Sequence, residues 1–368
     1  MAVHGVQEDR WSPAGLSRYG AGRLSLASGA SEDRWLQALL EVGARLGRAV
    51  LVPIDDVAAV FVEDHAAALS PHFTFPAREA GLTRQLSDKR ALHHLAAELQ
   101  IPVADAVFPT EEGEVAAYAA TGGFPVVAKQ IDAWHASREP AAPSVTIARD
   151  AEELLRAYRQ MESATGPNVM LQQYIPGSSQ SVWMFNGYFD ADSQCLFGAT
   201  GVKLRQRGPH TGPTTLGLCT PNPTVEEYTM RLMRAVGYRG ILDLGFRHDV
   251  RDGAYKLLDV NPRLGGSFRL FAGHDGMDVL RALYLDLTGQ PVPRSAPRHG
   301  RRWMVEPYDL VAAAQLHAER QLTVRGWLGS YRGVQETAWF DHRDPLPFLG
   351  MMAGMALSLP GRRRRGHR

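Results

Sequence analysis

The side chains best suited to metal and phosphate chemistry lie in one segment, LLDVNPRLGGS at 257–267. Alternate residues of a β-strand share a face, so Leu257, Asp259 and Asn261 are expected to lie on one face. Carboxylate and amide oxygens are hard ligands, which suit Mg²⁺ rather than zinc. Arg263 follows the strand, where it could pair with a phosphate oxygen. The alternative is an ordinary strand end followed by a glycine turn, but the ordered set favours a metal and phosphate site.

A third carboxylate, Asp243, lies in the preceding strand ILDLGF. A loop centred near Arg251 would place Asp243 opposite Asp259, whereas a two-residue turn at the Asp-Gly pair 252–253 would place it opposite Pro262. The functional interpretation therefore predicts the longer loop. Three oxygen ligands on two neighbouring strands could hold one or two Mg²⁺ ions and leave coordination sites for phosphates. The alternative for Asp243 is a solvated charge on a sheet edge.

Several cations precede this region. Lys129 ends the apolar run VVAK, as either a phosphate ligand or an exposed strand end. Lys89 lies in the first turn of a predicted helix, where the helix dipole disfavours a cation unless an anion or the preceding aspartate compensates. Lys203, Arg205 and Arg207 alternate along one extended stretch and are expected to share a face. That basic face would suit an anionic substrate or the γ-phosphate, or it is a solvated strand edge.

The elements that must position these residues are of two kinds. A helical pattern at 32–47, a buried strand at 49–54 and a helix capped by Asp55 or Asp56 predict a parallel sheet with helices on both faces. From residue 124 onward, β-branched and aromatic runs predict antiparallel sheets of an α+β region. The predicted strands are 124–130, 169–175, 181–190, 195–206, 241–249 and 255–261, and the predicted helices among them are AEELLRAYRQME and VEEYTMRLMRAVG.

The composition excludes several other classes of protein. The 368 residues carry a formal net charge of +1, which argues against nucleic acid as a partner. Two cysteines are too few for a disulfide framework, and no signal peptide opens the chain, so we expect a cytoplasmic protein. Residues 345–361 carry no charge and precede an arginine-rich tail. We interpret this segment, 345–368, as a packed helix with a solvated tail, the alternative being an anchor on anionic lipid.

The ordered set DK, PVVAK, QQYIPG and LDVNPRLGGS resembles the ATP-grasp superfamily of carboxylate–amine ligases, in its branch near D-aspartate ligase and carbamoyl-phosphate-synthase-like proteins. The resemblance covers about 88–290. It implies an ATP-grasp fold preceded by a parallel α/β domain, with domains at 1–85, 86–295 and 296–368. The last would be a helical or irregular extension with a basic tail. The chain begins within what matches the family's second strand, so the first strand-helix unit is expected to be missing, the alternative being a misassigned start codon.

The resemblance also assigns roles to the candidate residues. Two lysines match those that hold ATP phosphates, the QQYI segment matches the adenine-binding hinge, and Leu257 matches the adenine floor. The Mg²⁺ ligands, for which Mn²⁺ could substitute, and the reacting-phosphate arginine also have counterparts. The implied nucleotide contacts are Lys89, Lys129, Gln172, Gln173, Tyr174, Ile175, Gln180 and Leu257, the implied metal ligands are Asp243, Asp259 and Asn261, and the implied catalytic cations are Arg263, Lys203 and Arg205.

The chain departs from the family pattern in three places. Asp259 stands where most members carry glutamate, and Gln172 or Gln173 replaces a common hinge glutamate. Gln180 is nearest to the acid that usually contacts ribose. The implied activity is ATP-dependent joining of a small-molecule carboxylate to an amine through an acyl phosphate, with a homodimer as a further expectation. The alternative from another class is a non-catalytic nucleotide-binding or scaffolding protein.

Overall fold

The computed structural model describes residues 2–8, 12–27, 29–121, 123–132, 143–162, 166–208 and 211–362. It contains an N-terminal unit of parallel strand pairs, a small antiparallel sheet and a large mixed sheet. The strands are β1 Val3–Gln7, β2 Gly20–Ser25, β3 Ala49–Val50, β4 Phe73–Thr74, β5 Ala106–Val107, β6 Val126–Gln130, β7 Val145–Ala148, β8 Val169–Gln173, β9 Val182–Phe189, β10 Cys195–Gln206, β11 Thr214–Cys219, β12 Gly240–His248, β13 Tyr255–Asn261, β14 Arg302–Met304 and β15 Val334–Thr337.

The helices lie between and after these strands. They are α1 Glu32–Leu46, α2 Asp56–Asp64, α3 Ala66–Leu69, α4 Leu82–Ser87, α5 Lys89–Glu98, α6 Glu112–Thr121, α7 Ala151–Met161, α8 Pro223–Ala235, α9 Val279–Leu287, α10 Glu306–Ala318, α11 Val324–Ser330 and α12 Leu346–Arg362. Short 3₁₀ turns occur at Pro13–Leu16, Ser179–Ser181 and Phe268–Leu270.

The N-terminal unit is built from parallel strands, as predicted. β1 pairs with β2 and β3 pairs with β4, both in parallel, so the described residues form two short pairs rather than one continuous sheet. The predicted strand at 49–54 is shorter than expected and ends at Val50. Asp55 caps α2, because its side chain accepts a hydrogen bond from the backbone N–H of Ala58 at 2.7 Å. A small apolar core around Leu69 joins these elements.

The small sheet has the strand order β5-β8-β6-β7 and is antiparallel. Helices α6 and α7 cover one face of it and bury an apolar core. Lys129 lies on the central strand β6, paired with Met170 of β8. This sheet therefore places one candidate phosphate ligand on a well-buried strand.

The large sheet has the order β13-β12-β9-β10-β11-β14-β15 and is antiparallel apart from the parallel β14–β15 pair. Helices α4, α5 and α8 cover one face and pack on Leu242, Leu244 and Phe246 of β12. Residues of odd number on β12 point to the other face, where α9 packs against Ile241. That second face carries Asp243, and the functional site is built on it.

The C-terminal residues continue this sheet. The predicted boundary near 295 does not interrupt the sheet, because β14 and β15 extend it beyond β11. Helix α12 packs on the 3₁₀ turn at 13–16, and Asp344 accepts hydrogen bonds from Ser17 and Arg18. No described helix is long and apolar enough to span a membrane. The basic tail predicted at the C-terminus lies, from residue 363, outside the described residues.

Candidate functional site

Three oxygen-bearing side chains lie together on one face of the β12–β13 hairpin. Asp243 pairs with Asn261, and Gly245 pairs with Asp259. Paired residues of antiparallel strands project to the same face, so both carboxylates and the amide do so. The predicted pairing of Asp243 with Asp259 is wrong by two residues, because the turn at 249–254 and a bulge after Gly245 set a different register.

Two glycines leave room for the two carboxylates. A Cβ on Gly245 would lie 2.2 Å from Asp259 Oδ1, and a Cβ on Gly265 would lie 2.4 Å from the carboxyl carbon of Asp243. Any larger residue would displace these carboxylates. Burial raises the pKa of Asp243 to about 6, an effect that the nearby Arg263 opposes. The acidic pair is thus confined to a small space beside cationic groups.

Three lysines from separate elements face this acidic group. Burial lowers the pKa of Lys89 on α5, of Lys129 on β6 and of Lys203 on β10, and Asp259 raises the pKa of each by Coulombic attraction. The pKa of Lys129 falls to about 8, with the charge of Lys89 as a second cause. Lys203 Nζ also donates to the carbonyl of Gly212 at 3.0 Å. Cations gathered at this density favour a polyanionic ligand.

Arg263 joins the acidic group to the N-terminal unit. Its Nε donates to Asp56 Oδ1 at 3.0 Å, and its Nη2 donates to Asn261 Oδ1 at 3.2 Å. Nη1 lies 3.8 Å from Asp243 Oδ2 and donates weakly to the Leu264 carbonyl at 3.4 Å. Asp56 was considered in the sequence only as a helix cap, since nothing local links it to a residue 207 positions away.

Sequence reasoning missed a fifth cation at the site, Arg247. It follows Asp243 by four residues on β12 and shares its face. Its Nη2 donates to the carbonyl of Gly177 at 2.6 Å, and its guanidinium lies 6.0 Å from the ring centroid of Tyr174. Its Nε is buried without a hydrogen-bond partner, and burial lowers its pKa. The period of two along β12 could have identified it.

A buried amide beside Asp243 was also missed. Asn186 of β9 pairs directly with Asp243 and is fully buried. Neither polar atom of its side chain forms a hydrogen bond of regular geometry within the described part of the chain, yet the amide lies close enough to Asp243 to lower the pKa of that carboxyl by a weak hydrogen-bonding interaction. Its only signal in the sequence was a polar residue within the aromatic run at 181–190.

The predicted hinge connects the small sheet to the large sheet. Its residues differ in how exposed they are and in whether their hydrogen-bonding groups are free to bind a nucleotide. Gln172 is buried, while the backbone N–H of Gln173 donates to the Asp105 carbonyl at 2.8 Å and its side chain accepts from Arg251 at 3.0 Å. The Gln173 N–H is therefore already used within the protein. Ile175 is buried, and Gln180 is exposed in the 3₁₀ turn that follows.

A cavity of about 300 Å³ adjoins the hinge. Its lining combines apolar and aromatic surfaces against which a base could pack. The lining residues are Phe124, Pro125, Ile147, Arg149 and Tyr174.

The structure assigns Arg205 to a different place from the one predicted. Its guanidinium is buried and forms two hydrogen bonds to the carboxylate of Asp309 on α10, at 2.8 and 2.9 Å. A bulge between Lys203 and Arg205 shifts the pairing by one residue, so these two side chains leave β10 on opposite faces. Arg207 likewise packs on Tyr308 of α10. Arg205 is a structural residue.

Leu257 also lies on the other face of its sheet. It pairs with Phe246 and belongs, with Val260, to the core beneath α4 and α5. The bulge in the β12–β13 pairing inserts Leu258 between Leu257 and Asp259, so Leu257 and Asp259 do not share a face. The predicted adenine floor at Leu257 is therefore wrong, and the partly exposed leucine at this point is Leu258.

The residues present fit a magnesium–nucleotide complex. Two carboxylates and an amide supply three hard oxygens, and Mg²⁺ commonly completes its octahedron with phosphates and water. Gly245 and Gly265 keep the space around these oxygens open. The described ranges contain no group of three or more His, Cys, Asp or Glu side chains that could hold a metal, so at this site the third oxygen comes from the amide of Asn261.

Comparison with curated sequences finds distant relatives, whereas no family model matches the chain. The chain is 24% identical over 243 residues to D-aspartate ligase of Enterococcus faecium, which covers 63% of this chain and 57% of that protein. It is 23% identical over 243 residues to the arginine-specific carbamoyl phosphate synthase large chain of Geobacillus stearothermophilus. This alignment covers 61% of this chain and 21% of that protein. The alignments thus span about half of one relative and a fifth of the other.

Comparison with solved structures identifies the fold. The biotin carboxylase domain of Hydrogenobacter thermophilus 2-oxoglutarate carboxylase, solved with MgADP, superimposes with a TM-score of 0.62 at 13% identity, covering 82% of this chain and 73% of that one. N5-carboxyaminoimidazole ribonucleotide synthetase of Thermus thermophilus superimposes with a TM-score of 0.60 at 16% identity, covering 81% of this chain and 75% of that one. L-amino acid ligase of Bacillus licheniformis superimposes with a TM-score of 0.57 at 14% identity, and this match also covers 81% of this chain and 75% of that one.

Proposed function

Because the chain belongs to the ATP-grasp family, we propose that it is an ATP- and Mg²⁺-dependent ligase. It would activate a carboxylate as an acyl phosphate and join it to an amine. The observation that carries this proposal is the meeting of Asp243, Asp259 and Asn261 on one face of a hairpin with lysines from three other elements. ATP-grasp enzymes are generally ATP-dependent ligases, which supports the same conclusion.

The cations divide between nucleotide and reaction centre. Lys89 and Lys129 would bind ATP phosphates, and Lys203, which is attracted to both aspartates, would contact the group being transferred. Asp243, Asp259 and Asn261 would hold Mg²⁺, which supplies positive charge to the phosphate oxygens when bound. Arg263 borders this group and is oriented by Asp56.

The reaction requires positioning rather than a covalent nucleophile on the protein. An oxygen of the substrate carboxylate attacks the γ-phosphorus, the bond to the bridging oxygen of ADP breaks, and an acyl phosphate forms. The amine nitrogen then attacks the acyl carbon, phosphate leaves, and the amine loses a proton. Lys203 and Arg263 would stabilise the charge on the transferring phosphoryl group.

We further propose small-molecule substrates and, because ATP-grasp enzymes are typically cytoplasmic, a cytoplasmic setting for this activity. Two of the relatives are named for ligation of an amino acid, which agrees with a carboxylate and an amine as substrates. The biotin carboxylase domain was crystallised as a dimer, so a homodimer remains an expectation for this chain.

The test measures ADP formation by the full chain with Mg·ATP, a panel of carboxylic acids, and hydroxylamine as the amine. Hydroxylamine converts an acyl phosphate to a hydroxamate. Formation of ADP and formation of the hydroxamate should therefore both depend on the acid that is added. Asp259→Asn should reduce both rates about 100-fold or more. Asp192→Asn, on the exposed β9–β10 turn, is the matched control and should leave them unchanged.

Two results would contradict the proposal. Normal turnover by Asp259→Asn would refute the assignment of Asp259 as a metal ligand. ATP binding without acid-dependent ADP formation for any acid would favour the non-catalytic alternative.

A further inference from the structure

A cavity of about 270 Å³ lies beside Arg263, between the N-terminal unit and the large sheet. Helices α2 and α3 and the segment 75–80 form one wall, while Ile241, Leu264 and Leu283 form the other. An apolar cavity of about 150 Å³ accepts benzene. This cavity therefore has room for a ligand group at least as large as a phenyl ring.

The cavity adjoins the proposed reaction centre on the same face of the sheet. Ile241 precedes Asp243 by two residues on β12, a separation of about 7 Å along a strand. Arg263 lines the cavity and also contacts Asp56 and Asn261. A molecule could thus extend from the metal site into the cavity past a single side chain.

Arg263 retains donors for such a molecule. A guanidinium has five N–H donors. The contacts of Arg263 to Asp56, Asn261 and the Leu264 carbonyl use three of them. The remaining two lie on the terminal nitrogens, which commonly bind a carboxylate in a bidentate manner.

Most polar side chains of the walls already form hydrogen bonds within the protein. Glu63 accepts hydrogen bonds from the N–H groups of Gly81 and Thr83 and from the Thr83 hydroxyl. Arg78 donates to three oxygens, including the Pro262 carbonyl, and Ser70 donates to a backbone carbonyl. Most of the other lining side chains are apolar. Apart from Arg78 Nη2, which makes no hydrogen bond to the described residues, these side chains leave little for a polar ligand group to bind, so such a group would lose its water with little compensation.

We propose that this cavity binds the side chain of the carboxylate substrate, and that this side chain is apolar. Arg263 holds the reacting carboxylate at the inner end, and the hydrocarbon part lies between α2–α3 and the sheet. The inference rests on the proposed function for the identity of the reaction, but the binding of an apolar acid can be measured without turnover.

The first test compares phenylacetate with acetate by isothermal titration calorimetry, with and without Mg·ADP. The two ligands share a carboxylate and differ only in the phenyl group. Phenylacetate should bind at least about tenfold more tightly. Equal affinity, or no binding of phenylacetate under either condition, would overturn the inference.

The second test fills the cavity. Ala66 lines it, while its neighbour Ala67 is exposed and does not. Ala66→Phe should weaken phenylacetate binding at least about tenfold and leave Mg·ADP binding unchanged, and Ala67→Phe should change neither. Ala80→Trp, at an exposed lining position, repeats the test if Ala66→Phe fails to fold. A void that is only a packing defect would give stabilised variants with unaltered ligand affinity, which would also overturn the inference.

The third test uses the hydroxamate assay with glycine, alanine, leucine, phenylalanine, serine and aspartate. The KM should fall from glycine to leucine, and serine should be a poorer substrate than alanine. Turnover that favours aspartate or serine would refute the apolar pocket and leave the ligase proposal intact. Phenylacetate binding without any turnover would instead refute the ligase proposal and leave the pocket.

Discussion

Gly265 offers a sharp test of how the site is built. A Cβ at this position would lie 2.4 Å from the carboxyl carbon and 2.5 Å from Oδ2 of Asp243, closer than real Cβ atoms approach such groups. The neighbouring Gly266 has no atom within 4 Å of the same position. Neither residue has a left-handed backbone, so both accept alanine conformationally. Gly265→Ala and Gly266→Ala therefore form a matched pair that differs in the clash with Asp243.

The expected magnitude follows from the distances. An ordinary contact of 3.4 Å requires Asp243 or residue 265 to move by about 1 Å. A misplacement of this size can reduce a catalytic rate about 100-fold, equivalent to about 2.7 kcal/mol in the activation barrier. Over-packing should also lower the free energy of unfolding by about 1–3 kcal/mol. Gly266→Ala should change both quantities by much less.

The assay is Mg²⁺-dependent ADP formation at several metal concentrations, with urea unfolding as the measure of stability. Gly265→Ala should lower kcat and raise the Mg²⁺ concentration needed for half-maximal activity. The reasoning would be refuted by wild-type metal dependence and turnover in Gly265→Ala. It would also be refuted by equal damage in Gly266→Ala, because only one of the two positions faces Asp243.

Three further predictions concern the cations. The pKa of Lys129 is lowered to about 8, so the lysine is charged below that pH and neutral above it. The affinity for ATP, measured by calorimetry, should therefore fall as the pH rises from 7 to 9. Lys129→Met should bind ATP more weakly and show little of this dependence; an unchanged titration would exclude Lys129 from the site. Arg205→Met should lower the free energy of unfolding in urea by about 3–5 kcal/mol, because it leaves the buried Asp309 carboxylate without its cationic partner. The folded variant should bind ATP normally, and weakened ATP binding would place Arg205 in the site after all. Asp56→Asn should lower kcat about tenfold with little change in the KM for ATP, because the asparagine holds Arg263 less firmly; a change in KM alone would contradict this positioning role.

Individual elements could be predicted where the residue pattern was strong. The runs at 195–206 and 255–261 form strands with those bounds, because β-branched, aromatic and other apolar residues recur along them and no proline interrupts them. The terminal strands β14 and β15 were missed, since three or four residues give no clear period. Their pairing depends on the sheet that is already present.

The orientation of side chains was less predictable than the strands themselves. A single extra residue at a bulge turns the side chains that follow it on that strand to the opposite face of the sheet. No residue type marks the bulges near Lys203 and Leu257 in the sequence. For this reason, alternation along the strand misassigned Arg205 and Leu257. The partnership of Asp56 with Arg263 was equally hidden, because it depends on how distant segments pack.

The most direct test is a crystal structure of the protein with Mg²⁺ and a non-hydrolysable ATP analogue. We expect the metal to lie about 2.0–2.1 Å from oxygens of Asp243, Asp259 and Asn261, with Lys89 and Lys129 on the phosphates. A nucleotide bound elsewhere, or a metal held by other residues while Arg263 still occupies Asn261, would contradict this assignment.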